Sequence, residues 1–120
     1  MTSASLYEMK AALFRTLAHP TRIQIVDALS DGDEKSVGQL LPVIGVEAST
    51  LSQHLGVLRR FGLVIARRDG HSVRYALASP EVAHLIRLAH VVLTGVLTEQ
   101  AGVLRELRTD AHPVGLAGRR

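Results

Sequence analysis

The stretch that decides the fold is VEASTLSQHLGVLRRFGLVIARRDGHSVRYAL, residues 46–77 of a chain of 120. Its first half has the periodicity of a helix, because Leu51, Leu55 and Leu58 recur at i, i+4 and i+7 and line one inward face. This spacing predicts a helix from about residue 47 to residue 60, closed by Phe61-Gly62. The polar residues of its N-terminal half that then point largely outward are Ser49, Thr50, Gln53 and His54.

The second half of the stretch alternates with a period of two, which is typical of β-strands. Asp69-Gly70 is a dipeptide of tight hairpin turns, since glycine readily adopts the positive φ that such turns require. The pattern predicts a hairpin with strands over 63–68 and 71–77.

Positive charge is concentrated in this same part of the chain. The whole protein has a formal net charge of +3, whereas residues 59–74 contain five arginines and a single acid, Asp69. A concentrated basic strip is the electrostatic footprint expected of a protein that binds nucleic acid. A solvated charged surface is the alternative explanation.

Three helices are predicted before this stretch, and the first two are the longer ones. Apolar residues at helical spacing indicate a first helix that ends near Ala18, namely Leu6, Met9, Leu13, Phe14 and Leu17. Pro20 then begins a second helix, because a proline at the first helical position gives up no hydrogen bond. The residues expected on its buried side are Ile23, Ile25, Val26 and Leu29.

A short third helix and a long last helix complete the pattern. Ser36 is expected to cap the third helix, and Pro42 to end it, since an interior proline removes one hydrogen bond and clashes with the preceding turn. The last helix is expected from Ser79-Pro80 to about Leu107. We therefore expect one domain over 1–107 and a flexible basic tail over 108–120.

This order of elements, mainly α with a small β-hairpin wing, is that of a winged helix-turn-helix, in which the fourth helix enters the major groove of DNA. Its candidate DNA-binding residues are Ser49, Thr50, Ser52, Gln53, His54 and Arg60. The candidate residues of the wing are Arg67, Arg68, His71, Ser72 and Arg74. Alternatively, Arg67 or Arg68 pairs with Asp69 or with a neighbouring acid.

Three segments together resemble the ArsR/SmtB family of bacterial repressors: LFRTLAHPTRIQIVDAL, VEASTLSQHLGVLRRFGLV and ARRDGHSVRYAL. The resemblance covers about residues 6–97. It implies a homodimer held by the first and last helices, an imperfect inverted-repeat operator in double-stranded DNA, and repression relieved by a small inducer. Arg22 matches the arginine of the motif L-A-x-P-x-R and either binds phosphate or pairs internally, the second role being favoured.

The last helix supports a dimer independently of the resemblance. Residues 85–97 are apolar nearly all round, and one small domain can cover only one side of such a helix. The expected interface comprises Leu6, Met9, Leu13, Leu85, Leu88, Ala89, Val92, Leu93, Val96 and Leu97. The apolar stretch at residues 85–97 is short and is interrupted by polar residues, which argues against a membrane span. A cytoplasmic location is therefore expected.

The chain contains no cysteine, which excludes thiol-based sensing of arsenite, cadmium or lead. The second metal site of the family corresponds here to Ser79, Glu81, Val92 and Gly95. Only the glutamate among them can bind a metal, so neither a metal site nor a cofactor is expected.

Histidines leave one alternative open. His84 and His90 lie about 120° apart around a helix and cannot chelate one ion by themselves. Together with partner residues or His112 they would form a nickel, cobalt or zinc site, and unrelated surface histidines are the favoured interpretation.

An enzyme is not expected, because the chain has no cysteine nucleophile, phosphate-binding glycine loop or HExxH motif. The acidic residues Asp31, Asp33 and Glu34 indicate a solvated loop or a contact with a partner protein. The remaining alternative is a winged-helix module that binds another protein instead of DNA.

Overall fold

The computed structural model describes the backbone of residues 3–111 and the side chains of residues 5–109. Its elements are α1 (Ser3–Leu17), α2 (Pro20–Ala28), β1 (Lys35–Ser36), α3 (Val37–Ile44), α4 (Ala48–Phe61), β2 (Val64–Asp69), β3 (Ser72–Leu77) and α5 (Pro80–Ala111). The chain divides into two compact units at a boundary within α5, the first ending at Ile86 and the second beginning at Arg87. The predicted fold class is confirmed, because the first unit holds the helix-turn-helix and its β-wing.

The core of the first unit is built from the helix faces that the periodicity identified. Leu51, Leu55 and Leu58 are completely buried, as are Ile25, Val26, Leu29 and Leu40 from the helices around them. The prediction was wrong for one core residue, because Ile23 is 41% exposed. It lies two positions, or about 200° of helical rotation, from Ile25, so the two side chains cannot share one face.

The third helix begins as predicted but does not end at Pro42. Its last residue is Ile44, which is buried, and Gly45 closes the helix with φ at 77°. The Gly45 N–H donates to the carbonyl oxygen of Leu41 at 2.9 Å. Pro42 removes a single backbone hydrogen bond, and the burial of Ile44 together with this left-handed cap offsets that loss.

A short strand that the sequence pattern did not predict precedes α3. β1 pairs with β3, so the wing is a three-stranded antiparallel sheet in the order β1-β3-β2. Lys35 lies opposite Tyr75, and Ser36 lies opposite Arg74. A strand of two residues is too short to show alternation, which is why its sequence carries no recognisable pattern.

The hairpin turn lies one residue later than predicted. Asp69 pairs with Ser72, so the two loop residues are Gly70 and His71 rather than Asp69 and Gly70. Gly70 adopts a positive φ of 65°, as a two-residue turn requires. The shift makes Asp69 a strand residue on the same face as Arg67 and leaves His71 at the tip.

The last helix is longer than predicted and ends at Ala111 rather than near Leu107. No proline occurs between Pro80 and residue 111, and the hydroxyl of Thr109 donates to the carbonyl oxygen of Arg105 at 3.0 Å. Residues 108–111 are therefore helical, which corrects the start of the predicted tail. The remainder of that tail, including His112, lies outside the described residues.

By length and composition alone, Pro80–Thr109 could cross a membrane. The argument that this apolar stretch is too short was therefore wrong, because the helix extends well beyond residue 97. One such helix does not identify a membrane protein, since the core helix of a soluble protein passes the same test of length and composition.

Candidate nucleic-acid interface

α4 presents the polar face that its leucine ridge implies. Ser49, Ser52 and Gln53 are exposed, and Arg60 is exposed near the C-terminal end of the helix. Thr50 and His54 are half-buried, so they point outward less than the sequence predicted. The N-terminal half of the helix thus carries hydroxyl and amide groups, which both donate to and accept from base edges and phosphates.

His54 is half-buried because it contacts Arg22 on α2 and His19, the residue that precedes α2. Its Nδ1 accepts a hydrogen bond from Nε of Arg22 at 3.1 Å, and its ring lies 4.3 Å from the ring of His19, centre to centre. Burial lowers the pKa of His54, and the nearby His19 and Arg22 lower it further. Since Nδ1 accepts, the neutral ring carries its proton on Nε2, where it is a hydrogen-bond donor.

Arg22 has the internal role that the sequence favoured. Besides its bond to His54, its Nη1 donates to the carbonyl oxygen of Thr16 at 3.0 Å. The side chain therefore connects the end of α1 and the start of α2 to α4, and it helps to hold the recognition helix in place.

An open depression of about 390 Å³ lies along α4. The positively charged residues that line it are Arg22 and Arg60, and Ser52, Gln53 and His54 supply further polar groups. Guanidinium and amide groups gathered in this way suit the oxygens of a phosphate backbone.

The arginines of the wing differ in what they contact. Arg67 makes a two-pronged contact with Glu34, with Nε 2.9 Å from Oε2 and Nη2 bonded to Oε1. Arg74 lies 3.4 Å from Asp69, and its Nη1 donates to Oε1 of Gln39 at 3.3 Å. Within the described part of the chain, Arg68 makes no side-chain hydrogen bond or ion pair.

The rest of the predicted wing surface is also accessible. His71 and Ser72 are exposed, and the hydroxyl of Ser72 donates to the carbonyl oxygen of Asp69 at 3.0 Å. Acidic partners therefore neutralise part of the basic strip that the sequence showed. Arg68, like Arg59 and Arg60, is exposed and makes no ion pair within the described residues.

Sequence reasoning missed the contacts of Glu34 and Gln39, because it assigned Glu34 to a solvated loop or a partner contact and did not consider Gln39. The sequence named a neighbouring acid as an alternative partner of Arg67, but Glu34 is 33 positions away along the chain. The sheet brings the two residues together, since β1 and β2 lie on either side of β3. The only sequence signal for the contact between Arg67 and Glu34 is the group of acidic residues at 31–34.

The predicted dimer residues fall into two groups. Leu13 and Leu85 are half-buried and pack against the core of their own chain. The others are exposed in the single chain: Leu6, Met9, Leu88, Ala89, Val92, Leu93, Val96 and Leu97. Val103 and Leu104 are exposed as well, so the apolar surface of α5 continues beyond the predicted interface.

Across the described residues, no group of three or more histidine, aspartate or glutamate side chains could hold a metal ion. His84 and His90 are both exposed on α5. The alternative of a histidine-based metal site therefore depends on a second chain or on His112, which lies outside the described residues.

Known proteins are similar to this chain in sequence and in fold. The sequence model described as "Bacterial regulatory protein, arsR family" matches residues 19–66. The uncharacterized HTH-type transcriptional regulator Rv0081 of Mycobacterium tuberculosis is 50% identical over 109 residues, covering 90% of this chain and 95% of its own. Its crystal structure matches with a TM-score of 0.74 and 49% identity, over 80% of this chain and 96% of that one.

Two further proteins are similar to this chain. The homodimeric winged helix-turn-helix DNA-binding domain Mb0332 of Mycobacterium bovis, a possible ArsR-family transcriptional regulator, matches with a TM-score of 0.72 and 34% identity, over 82% of this chain and 93% of that one. The biofilm growth-associated repressor of Agrobacterium fabrum is 42% identical over 82 residues, covering 68% of this chain and 69% of its own.

These relatives are transcriptional regulators, which confirms that the chain is not an enzyme. The identity extends over nearly the whole chain, and the shared fold places a polar helix beside a basic wing. The chain therefore belongs to the ArsR family of bacterial regulatory proteins and is a DNA-binding transcriptional regulator.

Proposed function

We propose that the protein is a repressor that binds an inverted-repeat operator as a homodimer formed through α1 and α5. The observation that carries this proposal is the orientation of α4: Leu51, Leu55 and Leu58 are buried, so Ser49 and Gln53 face solvent. A helix oriented in this way can lie in the major groove with its N-terminal side chains at the base edges.

Gln53 is the residue proposed to read sequence. Its amide both donates and accepts, which matches the paired acceptor and donor of adenine in the major groove. Ser49, Thr50 and Ser52 are proposed to bind base edges or phosphates nearby, and Arg60 to bind the backbone. His54 contributes the donor at Nε2, because its Nδ1 is already occupied by Arg22.

The wing is proposed to follow the DNA backbone or to enter the adjacent minor groove. Among the described residues Arg68 has no side-chain partner that it would need to release for this contact. Arg74 must leave Asp69 or share its guanidinium. His71 lies at the tip, where the hairpin would first meet DNA, and Ser72 follows it as the first residue of β3.

The dimer is supported by the apolar residues that one chain leaves exposed. Leu6 and Met9 on α1 and Val92 and Leu93 on α5 are each about half exposed or more. A second copy would remove this apolar surface from water, and a two-fold axis would place two recognition helices about one turn of DNA apart. Mb0332 is homodimeric, which supports the same assembly here.

Repression and location complete the proposal. The similarity to the repressor of Agrobacterium fabrum supports the proposal that this protein represses transcription rather than activating it. We place DNA binding and dimerisation within residues 1–107 and the site of action in the cytoplasm, where the chromosomal operator lies. Thiol-based metal sensing plays no part, because the chain has no cysteine.

The test is selection of bound fragments from genomic DNA of the host, followed by titration of the selected duplex at several salt concentrations. We expect one inverted repeat, two chains per duplex, and a logarithm of the affinity that falls steeply as the logarithm of the salt concentration rises. Indifference to all DNA at low salt would contradict the proposal and favour a module that binds another protein.

A further inference from the structure

The contact between Glu34 and Arg67 joins the two sides of the wing. Glu34 precedes β1 and Arg67 lies on β2, while β3 runs between these two strands. The carboxylate receives hydrogen bonds from both Nε and Nη2 of the guanidinium, and the contact lowers the pKa of Glu34. The ion pair is thus made across the sheet rather than between neighbours in sequence.

This contact occupies the part of Arg67 that a phosphate would use. Carboxylates and phosphates both bind guanidinium through two parallel hydrogen bonds, so they compete for the same pair of donors. Arg67 can bind the DNA backbone in that way only after it has released Glu34. Arg68, one residue later, has no such competitor among the described residues.

The register of the sheet explains why an acid is needed at this place. Arg67 lies directly opposite Arg74 in the pairing of β2 with β3, and like charges in opposed positions destabilise a sheet. Asp69 contacts Arg74, and Glu34 contacts Arg67, so each arginine has its own counter-charge. Glu34 therefore stabilises the free wing by the same contact that occupies Arg67.

We infer that Glu34 is a specificity-determining residue that competes with the DNA backbone for Arg67 and so lowers non-specific DNA binding. The inference rests on the proposed function, since it assigns Glu34 a part in DNA binding. Removal of its charge should release Arg67 to make one additional phosphate contact.

The test compares Glu34→Gln with Asp33→Asn by fluorescence anisotropy on a labelled duplex of random sequence. Asp33 is the matched control, because it lies in the same loop and is exposed, and its carboxylate holds no arginine within the described chain. For Glu34→Gln we expect tighter binding at low salt and an affinity that falls about three- to fourfold more than that of the wild type between about 50 and 200 mM salt. Asp33→Asn should keep the wild-type salt dependence.

Two further variants show whether the effect passes through Arg67. Glu34→Ala should behave like Glu34→Gln, and in an Arg67→Gln background Glu34→Gln should change nothing. Weaker binding by Glu34→Gln, or identical results for Glu34→Gln and Asp33→Asn, would overturn the inference while leaving the proposed function intact. A wild-type protein that binds neither random nor genomic DNA would overturn the proposed function, and this inference with it.

Discussion

Single side chains at the interface differ mainly in whether another residue of the same chain already holds them. Gln53 and Arg68 are exposed and available, whereas His54 is bound by Arg22, and Arg67 by Glu34. A residue that is free can meet DNA without losing a bond, while a residue that is held must exchange one partner for another. The proposed reading of sequence therefore depends most on Gln53.

Gln53→Ala should weaken binding to the selected operator by about 1–3 kcal/mol and reduce discrimination at one base position, since it removes the amide that we propose to pair with a base. The measurement is the affinity for the operator and for its single-base variants. Gln24→Ala, at an exposed glutamine on α2, is the control and should leave both quantities unchanged. Unaltered base preference in Gln53→Ala would mean that α4 is rotated differently on DNA.

The pKa of His54 predicts how stability depends on pH. Burial lowers this pKa below its ordinary value of 6.5, so the unfolded state takes up the proton more readily than the folded state. The contribution of His54 is therefore fully present above about pH 6.5 and decreases as the pH falls through its folded pKa. Urea denaturation should show this loss in the wild type, and a smaller loss between pH 7 and 5 in His54→Gln. Equal losses in the two proteins would show that His54 is not the responsible group.

At the scale of elements, the ends of the helices were harder to predict than their existence. Pro42 does not end α3, because a buried Ile44 and the left-handed Gly45 hold two more helical residues in place. The hairpin turn likewise lies one residue away from the predicted position, because contacts beyond the local sequence decide it. Inter-strand pairing, rather than the turn dipeptide alone, sets its register.

Two glycines, one inside α3 and one at its C-terminal cap, test the importance of the cap. Gly45 has φ at 77° and open space where a Cβ would lie, so Gly45→Ala should destabilise the protein by about 1 kcal/mol through backbone strain alone. Gly38 lies inside the helix and has room for a methyl group, so Gly38→Ala should stabilise the protein by about 0.5–1 kcal/mol. Urea denaturation measures both. Shifts of the same sign would contradict the assigned cap.

For the whole molecule, the exposed apolar residues of α5 are the feature that a single chain does not explain. Exposed apolar side chains continue along the helix from Leu88 to Leu104. A monomer in water would leave this surface uncovered, which is costly, whereas a second copy would bury it.

Leu93→Glu should convert the dimer into a monomer, because it places a charge within the proposed apolar interface. Sedimentation measures the mass, and operator titration measures the loss of binding that follows when two half-sites are no longer held together. Thr98→Glu adds the same charge about 140° further around the same helix and should affect both less. A Leu93→Glu protein that remains dimeric would exclude α5 as the centre of the interface.

The sequence alone determined the elements whose apolar periodicity is long enough to be distinctive. It specified the ridge of Leu51, Leu55 and Leu58, the start of α2 at Pro20 and the existence of the hairpin, because these depend on neighbours within a few residues. The family followed from motifs within the same local stretches.

Only the tertiary structure decided which polar groups are free to act. β1 is too short for a pattern, and the pairs Arg67–Glu34 and Arg22–His54 join residues more than thirty positions apart. Such contacts arise when sheet pairing and helix packing bring distant segments together. The spacing of residues within a short segment therefore cannot predict them. The sequence showed where positive charge is concentrated, and the fold determined which of those charges is already neutralised.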